Sequence, residues 1–184
     1  MKKVVIISGK GGSGKDTVSK IASHLTQREV YNFTSIAVVS KAAEILGWNG
    51  NKTSRDRKFL SDLKRISSEY NNQPLEYLSY SVKKSSENSV NFLHIREPQE
   101  IEKAVSMFSI DGYSVYTLLV KRHDKTYGNQ SDDGVDNYEY DYVIENGSDN
   151  ILDLVSRTGD FLKYIGVEVD ENRYIEESYT GNGE

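Results

Sequence analysis

The stretch Gly9-Lys10-Gly11-Gly12-Ser13-Gly14-Lys15-Asp16-Thr17 decides the reading of this chain. Its spacing, G-x-x-x-x-G-K, is that of a phosphate-cradling P-loop. Several backbone N–H groups must converge on one point to hold a phosphate. Glycines allow that wrap, because they tolerate positive φ and carry no side chain to block approach. A helix that opens directly after the loop adds unpaired N–H groups and a favourable dipole. The context fits. Val4–Ser8, an apolar run expected of a strand buried on both faces, precedes the loop. A helical pattern over about 15–28 follows, with Val18, Ile21, Ala22 and Leu25 at 3–4 spacing.

Working outward, strands and helices alternate. Val30–Ile36 reads as a second strand, and Ala37–Leu46 as a helix stopped by Gly47. Thr53 or Ser54 can cap a helix from Arg55 to Tyr70, on which Phe59, Leu60, Leu63, Ile66 and Tyr70 form one apolar stripe. Pro74 opens a helix over Leu75–Lys84. Val90–Ile95 reads as a strand, Pro98 as the start of a helix, and Tyr113–Val120 as a fourth strand. Tyr142–Ile144 is a short last strand and Ile151–Tyr164 a closing helix. Such alternation predicts an α/β, three-layer P-loop NTPase fold, with a parallel sheet of about five strands and helices on both faces. Residues 1–166 are expected to form one domain. Within it, 123–139 is a long polar connection, a lid-like loop with Arg122, His123 and Lys125 at its start. The tail 167–184 carries six acidic residues and one Arg without a period, and is expected to order weakly.

Composition narrows the function classes. The chain has 184 residues and a formal net charge of −5, so a general polyanion surface is not expected and any anion contact must be local. It has no cysteine, which excludes disulfides, cysteine zinc sites and a cysteine nucleophile. No apolar run approaches the roughly 18 residues of a membrane span, and the N-terminus lacks a signal-peptide core, so a cytoplasmic location is expected. The three histidines, at 24, 94 and 123, have no metal-ligand spacing.

Candidate residues follow from the chemistry. Gly9, Gly11, Gly12, Ser13 and Gly14 would line a nucleotide's phosphates, together with Lys15, Asp16 and Thr17. Lys15 would supply a mobile cation for the β- and γ-phosphates of ATP. Asp16 stands where Ser or Thr ordinarily gives Mg²⁺ a hydroxyl ligand. Thr17, one residue on, points roughly 100° around the helix and is no simple substitute. A carboxylate suits a hard cation, which makes Asp16 the candidate metal residue; an acid in a first helical turn also complements the helix dipole. Phosphoryl transfer must neutralise a second anion, the acceptor. Segment 55–65 holds five basic and two acidic residues in an otherwise acidic protein. Its Arg55, Lys58 and Arg65, with Lys41 on the preceding helix, are candidate acceptor-side cations. Arg96 is another, placed at the carboxyl end of a strand, where ligands of open α/β sheets sit. Arg122, at the start of the long loop, is a candidate lid cation.

The run Ser-Gly-Lys-x-x-Ser-Gly-Lys-Asp at 8–16 resembles the P-loop of phage-type deoxynucleoside monophosphate kinases and of animal-type phosphomevalonate kinases, which also carry Asp after the loop lysine. Phe33–Lys41 resembles their second strand and a helix with an acceptor-side lysine. Phe92-Leu-His-Ile-Arg96 resembles a strand ending in Asp-x-Arg, and Val135–Asn146 resembles their last strand and its Asn. The likeness spans about residues 4–164. It implies ATP-dependent phosphoryl transfer, with Mg²⁺, to a nucleoside or deoxynucleoside monophosphate, nucleotides as the partners, and allows a homodimer. Two departures stand out. His94 occupies the place of the strand-end Asp. Gly11, Gly12 and Glu97 stand where phosphomevalonate kinases carry extra basic residues, which favours a nucleotide acceptor. A kinase for another small phosphorylated acceptor and a catalytically silent nucleotide-binding module are the alternatives.

Overall fold

A computed structural model describes residues 1–122, 134–147, 150–170 and 173. Its elements follow the order β1 (Lys3–Ser8), α1 (Lys15–Leu25), β2 (Val30–Thr34), α2 (Ala37–Ile45), α3 (Ser54–Asn71), α4 (Gln73–Lys84), β3 (Val90–His94), α5 (Pro98–Ile110), β4 (Ser114–Lys121), β5 (Tyr142–Glu145) and α6 (Ile151–Tyr164). The strands form one sheet in the order β2-β3-β1-β4-β5, and every pair is parallel.

The period-2 alternation of β1 sorts the layers. Val5 and Ile7 face Val18, Ile21, Ala22 and Leu25 of α1 and Leu154, Phe161 and Leu162 of α6. Val4 and Ile6 face Leu75, Leu78 and Val82 of α4 and Ile101, Ala104 and Phe108 of α5. Both faces of the central strand are therefore sealed, which is why its sequence is continuously apolar rather than alternating. Phe92, Phe108 and Phe161 are fully buried. Truncating any one to Ala is expected to cost about 3–5 kcal/mol.

Several boundaries shift from the sequence expectation for local reasons. β2 ends at Thr34, not Ile36, because the Thr34 hydroxyl accepts from Ile36 N (3.4 Å) and turns the chain into α2. α1 stops at Leu25, where Thr26 turns extended and its hydroxyl accepts from Arg28 N (3.2 Å). Thr53 caps α3 in a reciprocal box, its hydroxyl accepting from Asp56 N while Asp56 Oδ2 accepts from Thr53 N (2.9 Å). α3 itself has no buried residue. Its expected apolar stripe is only half covered, with Phe59, Leu60 and Leu63 partly buried and Ile66 and Tyr70 exposed. Trp48, beyond α2, donates from Nε1 to the Asn51 carbonyl (2.8 Å).

The described parts of the lid-like loop and of the tail each carry a buried valine. Of the lid-like loop 123–139, residues 123–133, with His123 and Lys125, lie outside the described residues. The end that is described folds into a 3₁₀ turn, Val135–Asn137, with Val135 fully buried. At the other end, Gly166 (φ 72°) reverses the chain after α6 and Val167 enters the core at 2% exposure. Asp170 N then donates to the Leu25 carbonyl (2.8 Å), and Arg173 Nη1 to that of Thr26 (2.8 Å). Residues 167–170 thus join the packed body, because Val167 and Val169 add to the apolar layer under α1 and α6. The remainder of the tail is outside the described residues.

Candidate functional site

The sheet order reverses direction at β1, which has β3 on one side and β4 on the other. Open α/β sheets place ligands at such a switch point, outside the carboxyl ends of the strands. The glycine loop stands there. Within it Ser13 N donates to the Lys10 carbonyl (3.1 Å), and Gly14 caps α1 at φ 101°. Lys15 folds its side chain back over the loop. Its Nζ donates to the carbonyls of Gly9 (2.5 Å) and Lys10 (2.9 Å) and lies 3.5 Å from Ser13 Oγ. The ammonium thus sits against the loop backbone, held by its carbonyls at the start of α1.

Two residues downstream hold this loop from outside. Asn146, just past β5, donates from Nδ2 to the Ser13 carbonyl (2.9 Å), while its own N–H donates to the Lys121 carbonyl (2.7 Å). The amide comes so close that a Cβ on Gly14 would meet Nδ2 at 2.4 Å. That approach, with the positive φ, is why position 14 needs glycine. On the other side Lys10 Nζ pairs with Asp136 in the 3₁₀ turn at 2.6 Å. Tyr140 steadies that turn by donating to the Val135 carbonyl (3.0 Å). Burial pushes the Tyr140 phenol up, which the Ser8 hydroxyl beside it partly offsets.

The first turn of α1 points its acid outward. The Asp16 side chain is 98% exposed, with Oδ1 3.7 Å from His94 Nδ1 at the end of β3. His94 Nε2 lies 3.2 Å from Asn32 Oδ1. Burial holds this imidazole below its ordinary range. The Asp16 carboxylate opposes that shift, and the charges of Lys15 and Arg96 reinforce it. His94, Asp16, Lys15 and Arg96 therefore share one electrostatic neighbourhood. No group of three or more His, Cys, Asp or Glu side chains that could hold a metal ion occurs among the described residues. The donor set does fit Mg²⁺ in one mode, since that ion is commonly held by one carboxylate plus substrate phosphates and water. Asp16 is an accessible carboxylate beside the loop, whereas the His94 ring offers no hard oxygen.

The candidate acceptor-side cations divide. Arg96 is half-buried two residues after the end of β3. Lys58 pairs with Asp62 (2.8 Å) and Arg65 with Glu69 (2.9 Å), each along α3 itself. Arg55 and Lys41 are exposed, on α3 and α2. The cation of α3 that reaches the sheet is Lys64, which sequence reasoning passed over. It pairs with Glu97, next to Arg96, at 2.7 Å, and only 12% of its side chain is exposed. Arg122, at the exit of β4, is partly buried beside Lys121. Lys10, Lys121 and Asp136 were also missed as site residues. Lys10 sits at a position of the loop pattern that any residue can fill. Asp136 belongs to a stretch read as irregular.

The topology, the loop at the switch point and its lysine bear on solved structures. Among these, the Mycobacterium tuberculosis APS kinase CysC in complex with AMPPNP and APS is similar at TM-score 0.57 and 9% identity, over 90% of this chain and 98% of that one. A Deinococcus radiodurans tunicamycin resistance protein is similar at TM-score 0.56 and 12% identity, over 92% and 98%. The fold is that of the P-loop kinases. No protein-family model matches the chain. Nor does a search of curated proteins return a match. At these identities the likeness fixes the P-loop kinase fold and leaves the acceptor to be argued from the site.

Proposed function

We propose that the protein is a phosphotransferase that moves the γ-phosphoryl group of ATP to the phosphate of a ribo- or deoxynucleoside monophosphate. The observation that carries this reading is the Lys15 ammonium, wrapped by the carbonyls of Gly9 and Lys10 at the start of α1, at the sheet's switch point. When phosphates enter the loop, Lys15 exchanges carbonyl contacts for phosphate oxygens. The backbone N–H groups and the helix start add to the field. Transfer breaks the bond from the γ-phosphorus to its β,γ-bridging oxygen and forms one to an acceptor phosphate oxygen. ADP and a nucleoside diphosphate result. An acceptor phosphate is already ionised near neutral pH, so no general base is needed. Catalysis is then positioning and charge neutralisation by Lys15, Arg96 and Arg122. Mg²⁺, when bound, would neutralise charge on the transferring phosphates, with Asp16 as its protein oxygen. Lys41, Arg55, Lys58 and Arg65 form an outer rank of candidate acceptor cations.

The test is a mass-spectrometric screen of the common ribo- and deoxynucleoside monophosphates with ATP and Mg²⁺. Formation of a diphosphate, lost in Lys15→Ala, supports the reading; no transfer to any member of the panel removes it. A second reading, transfer to another small acceptor, draws support from the similar APS kinase, a structure that holds both AMPPNP and APS. Adding APS and other phosphorylated or sulfated acceptors that are not nucleoside monophosphates to the same screen separates the two.

A further inference from the structure

The glycine loop is clasped from the β4–β5 side at both ends. A Cβ on Gly9 would collide with the Val120 carbonyl, and one on Gly14 with the Asn146 amide. The second clasp is a hydrogen bond as well as a contact. Asn146, a buried side chain, donates from Nδ2 to the Ser13 carbonyl (2.9 Å). Its own N–H donates to the Lys121 carbonyl (2.7 Å), one step beyond the pairing of Lys121 with Glu145. The amide that reaches the loop is therefore carried on the end of the β4–β5 ladder. A trans peptide is planar, with its C=O and N–H pointing opposite ways. Holding the Ser13 carbonyl toward Asn146 thus aims the Gly14 N–H away from Asn146. The backbone does not choose that orientation by itself. Gly14 stands at φ 101°. Turning the Ser13–Gly14 peptide over carries this angle half a revolution, to about −80°, which glycine adopts as readily.

We propose that Asn146 is a positioning residue, which locks the Ser13–Gly14 peptide with its N–H toward the nucleotide phosphates and so sets the sign of the loop's field at that point. The two orientations present opposite groups. With the carbonyl on Asn146, the N–H is offered to an anion; with the peptide reversed, a carbonyl oxygen would stand there and repel it. The location makes the choice matter. Gly14 is the N-cap of α1, which opens with no side-chain cap, and a helix start of that kind suits an anion. The Val18 N–H donates to the Gly14 carbonyl (2.9 Å), so the far side of Gly14 is already fixed in the helix. The peptide before it is the joint that remains to be set. Asn146 sets it from 133 residues away in the chain, and only once β5 has docked on β4. A phosphate-ready loop is in this way tied to a completed sheet.

The lock is a property of the free protein, and only the identity of the anion rests on the phosphotransferase reading. The test therefore has two arms, run on the full chain with melting curves to confirm folding. The first reads peptide orientation without ligand, from the NOE between Ser13 Hα and the Gly14 amide proton, whose intensity changes when the peptide turns over. The parent should show one orientation and Asn146→Ala a mixture. Asn146→Asp, which puts an acceptor where the amide donated, should show mainly the reversed one. A single, parent-like orientation in Asn146→Ala and Asn146→Asp overturns the proposal. The second arm titrates inorganic tripolyphosphate and a non-hydrolysable ATP analogue by calorimetry. Asn146→Ala should bind both at least ~10-fold more weakly, the loss expected for one donor to a charged acceptor. Asn146→Leu fills similar space without a donor and should lose as much; parent-like affinity in it would make Asn146 a spacer and overturn the lock. Should Asn146→Leu fail to fold, Asn146→Ser, too short to reach the Ser13 carbonyl, carries the same prediction. Both probes binding the parent and Asn146→Ala equally overturns this proposal and leaves the phosphotransferase reading standing. Neither probe binding the parent removes that reading, and with it the phosphate role given to the lock.

Discussion

The glycine loop and helix α3 are built in opposite ways. The loop is held by backbone groups and by amides and ammonium ions aimed at backbone: Lys15 on the carbonyls of Gly9 and Lys10, and Asn146 on that of Ser13. α3 has no buried residue, and half of its charges answer one another along the helix, as Lys58–Asp62 and Arg65–Glu69. One region is fixed in shape by short-range covalent and hydrogen-bond constraints. The other is a weakly covered helix whose one deep anchor is Lys64 on Glu97. The expected division of labour is a stiff donor site and an adaptable acceptor side, and mutations should separate them.

The largest effect is expected at the loop. Lys15→Ala should reduce phosphoryl transfer by at least ~100-fold, about 3 kcal/mol, by analogy with the loss of one oxyanion donor. Because Lys15 also bonds two loop carbonyls, some stability should be lost with it, so steady-state kinetics must be read beside a melting curve. Turnover equal to the parent's would remove the loop from the mechanism. Gly14→Ala attacks the same region through its backbone. The new Cβ collides with Asn146 Nδ2 and strains a residue at φ 101°. That costs about 1–3 kcal/mol of stability and should sharply weaken binding of a non-hydrolysable ATP analogue. Binding and unfolding midpoints like the parent's would show that the Asn146 prop is dispensable.

Asp16 tests how much of the donor site is ion-dependent. Asp16→Ala should raise the Mg²⁺ concentration for half-maximal turnover by at least ~10-fold, with Asp16→Asn between. Identical Mg²⁺ titrations would reduce Asp16 to a helix-dipole residue. On the acceptor side, Arg96→Ala should lower kcat/KM for the acceptor by at least ~10-fold with little change in ATP affinity. Arg96→Lys should recover part, since an ammonium keeps charge but not the planar fork. Arg65→Ala, whose partner is Glu69, should fall within about twofold of the parent. A larger loss at Arg65 than at Arg96 would reverse the assignment of the acceptor anchor.

The same contrast explains what was legible in the sequence. The phosphate loop follows from local rules, namely a buried strand, glycines at fixed spacing and a helix start, all within residues 4–25, and the parallel five-stranded sheet from the alternation of strand and helix along the chain. Five of the six helices stayed within three residues of the expected ends, and α6 matched at both. The acceptor side depends on which cation of a basic helix faces inward. Arg55, Lys58 and Arg65 look as suitable as Lys64 in the sequence. Only the packing of α3 on α2 and α4 turns Lys64 toward Glu97. Asp136 was hidden for a related reason. Val135, fully buried, packs into the body, but a lone Val among polar residues gives no periodic signal.

The smallest expected effect concerns that anchor, and it is a matter of pH. Burial alone would raise the Glu97 carboxyl. The Lys64 ammonium beside it and backbone hydrogen bonds more than offset this, and hold it below the ordinary 4.5. As pH falls past 4.5 the unfolded chain takes up its proton first. The stability that Glu97 contributes is therefore present above 4.5 and lost as pH drops through the folded value. Solvent reaches 39% of the Glu97 side chain, so screening keeps the Lys64–Glu97 coupling at about 1 kcal/mol or less. A double-mutant cycle of Lys64→Met and Glu97→Gln, read as urea-unfolding free energies at pH 7 and again well below 4.5, measures it. The coupling should be present at pH 7 and fade at the lower pH, where Glu97 is neutral. Coupling of equal size at both would mean that shape, not charge, ties α3 to the end of β3. The adaptable side of the site would then be stiffer than its exposed surface suggests.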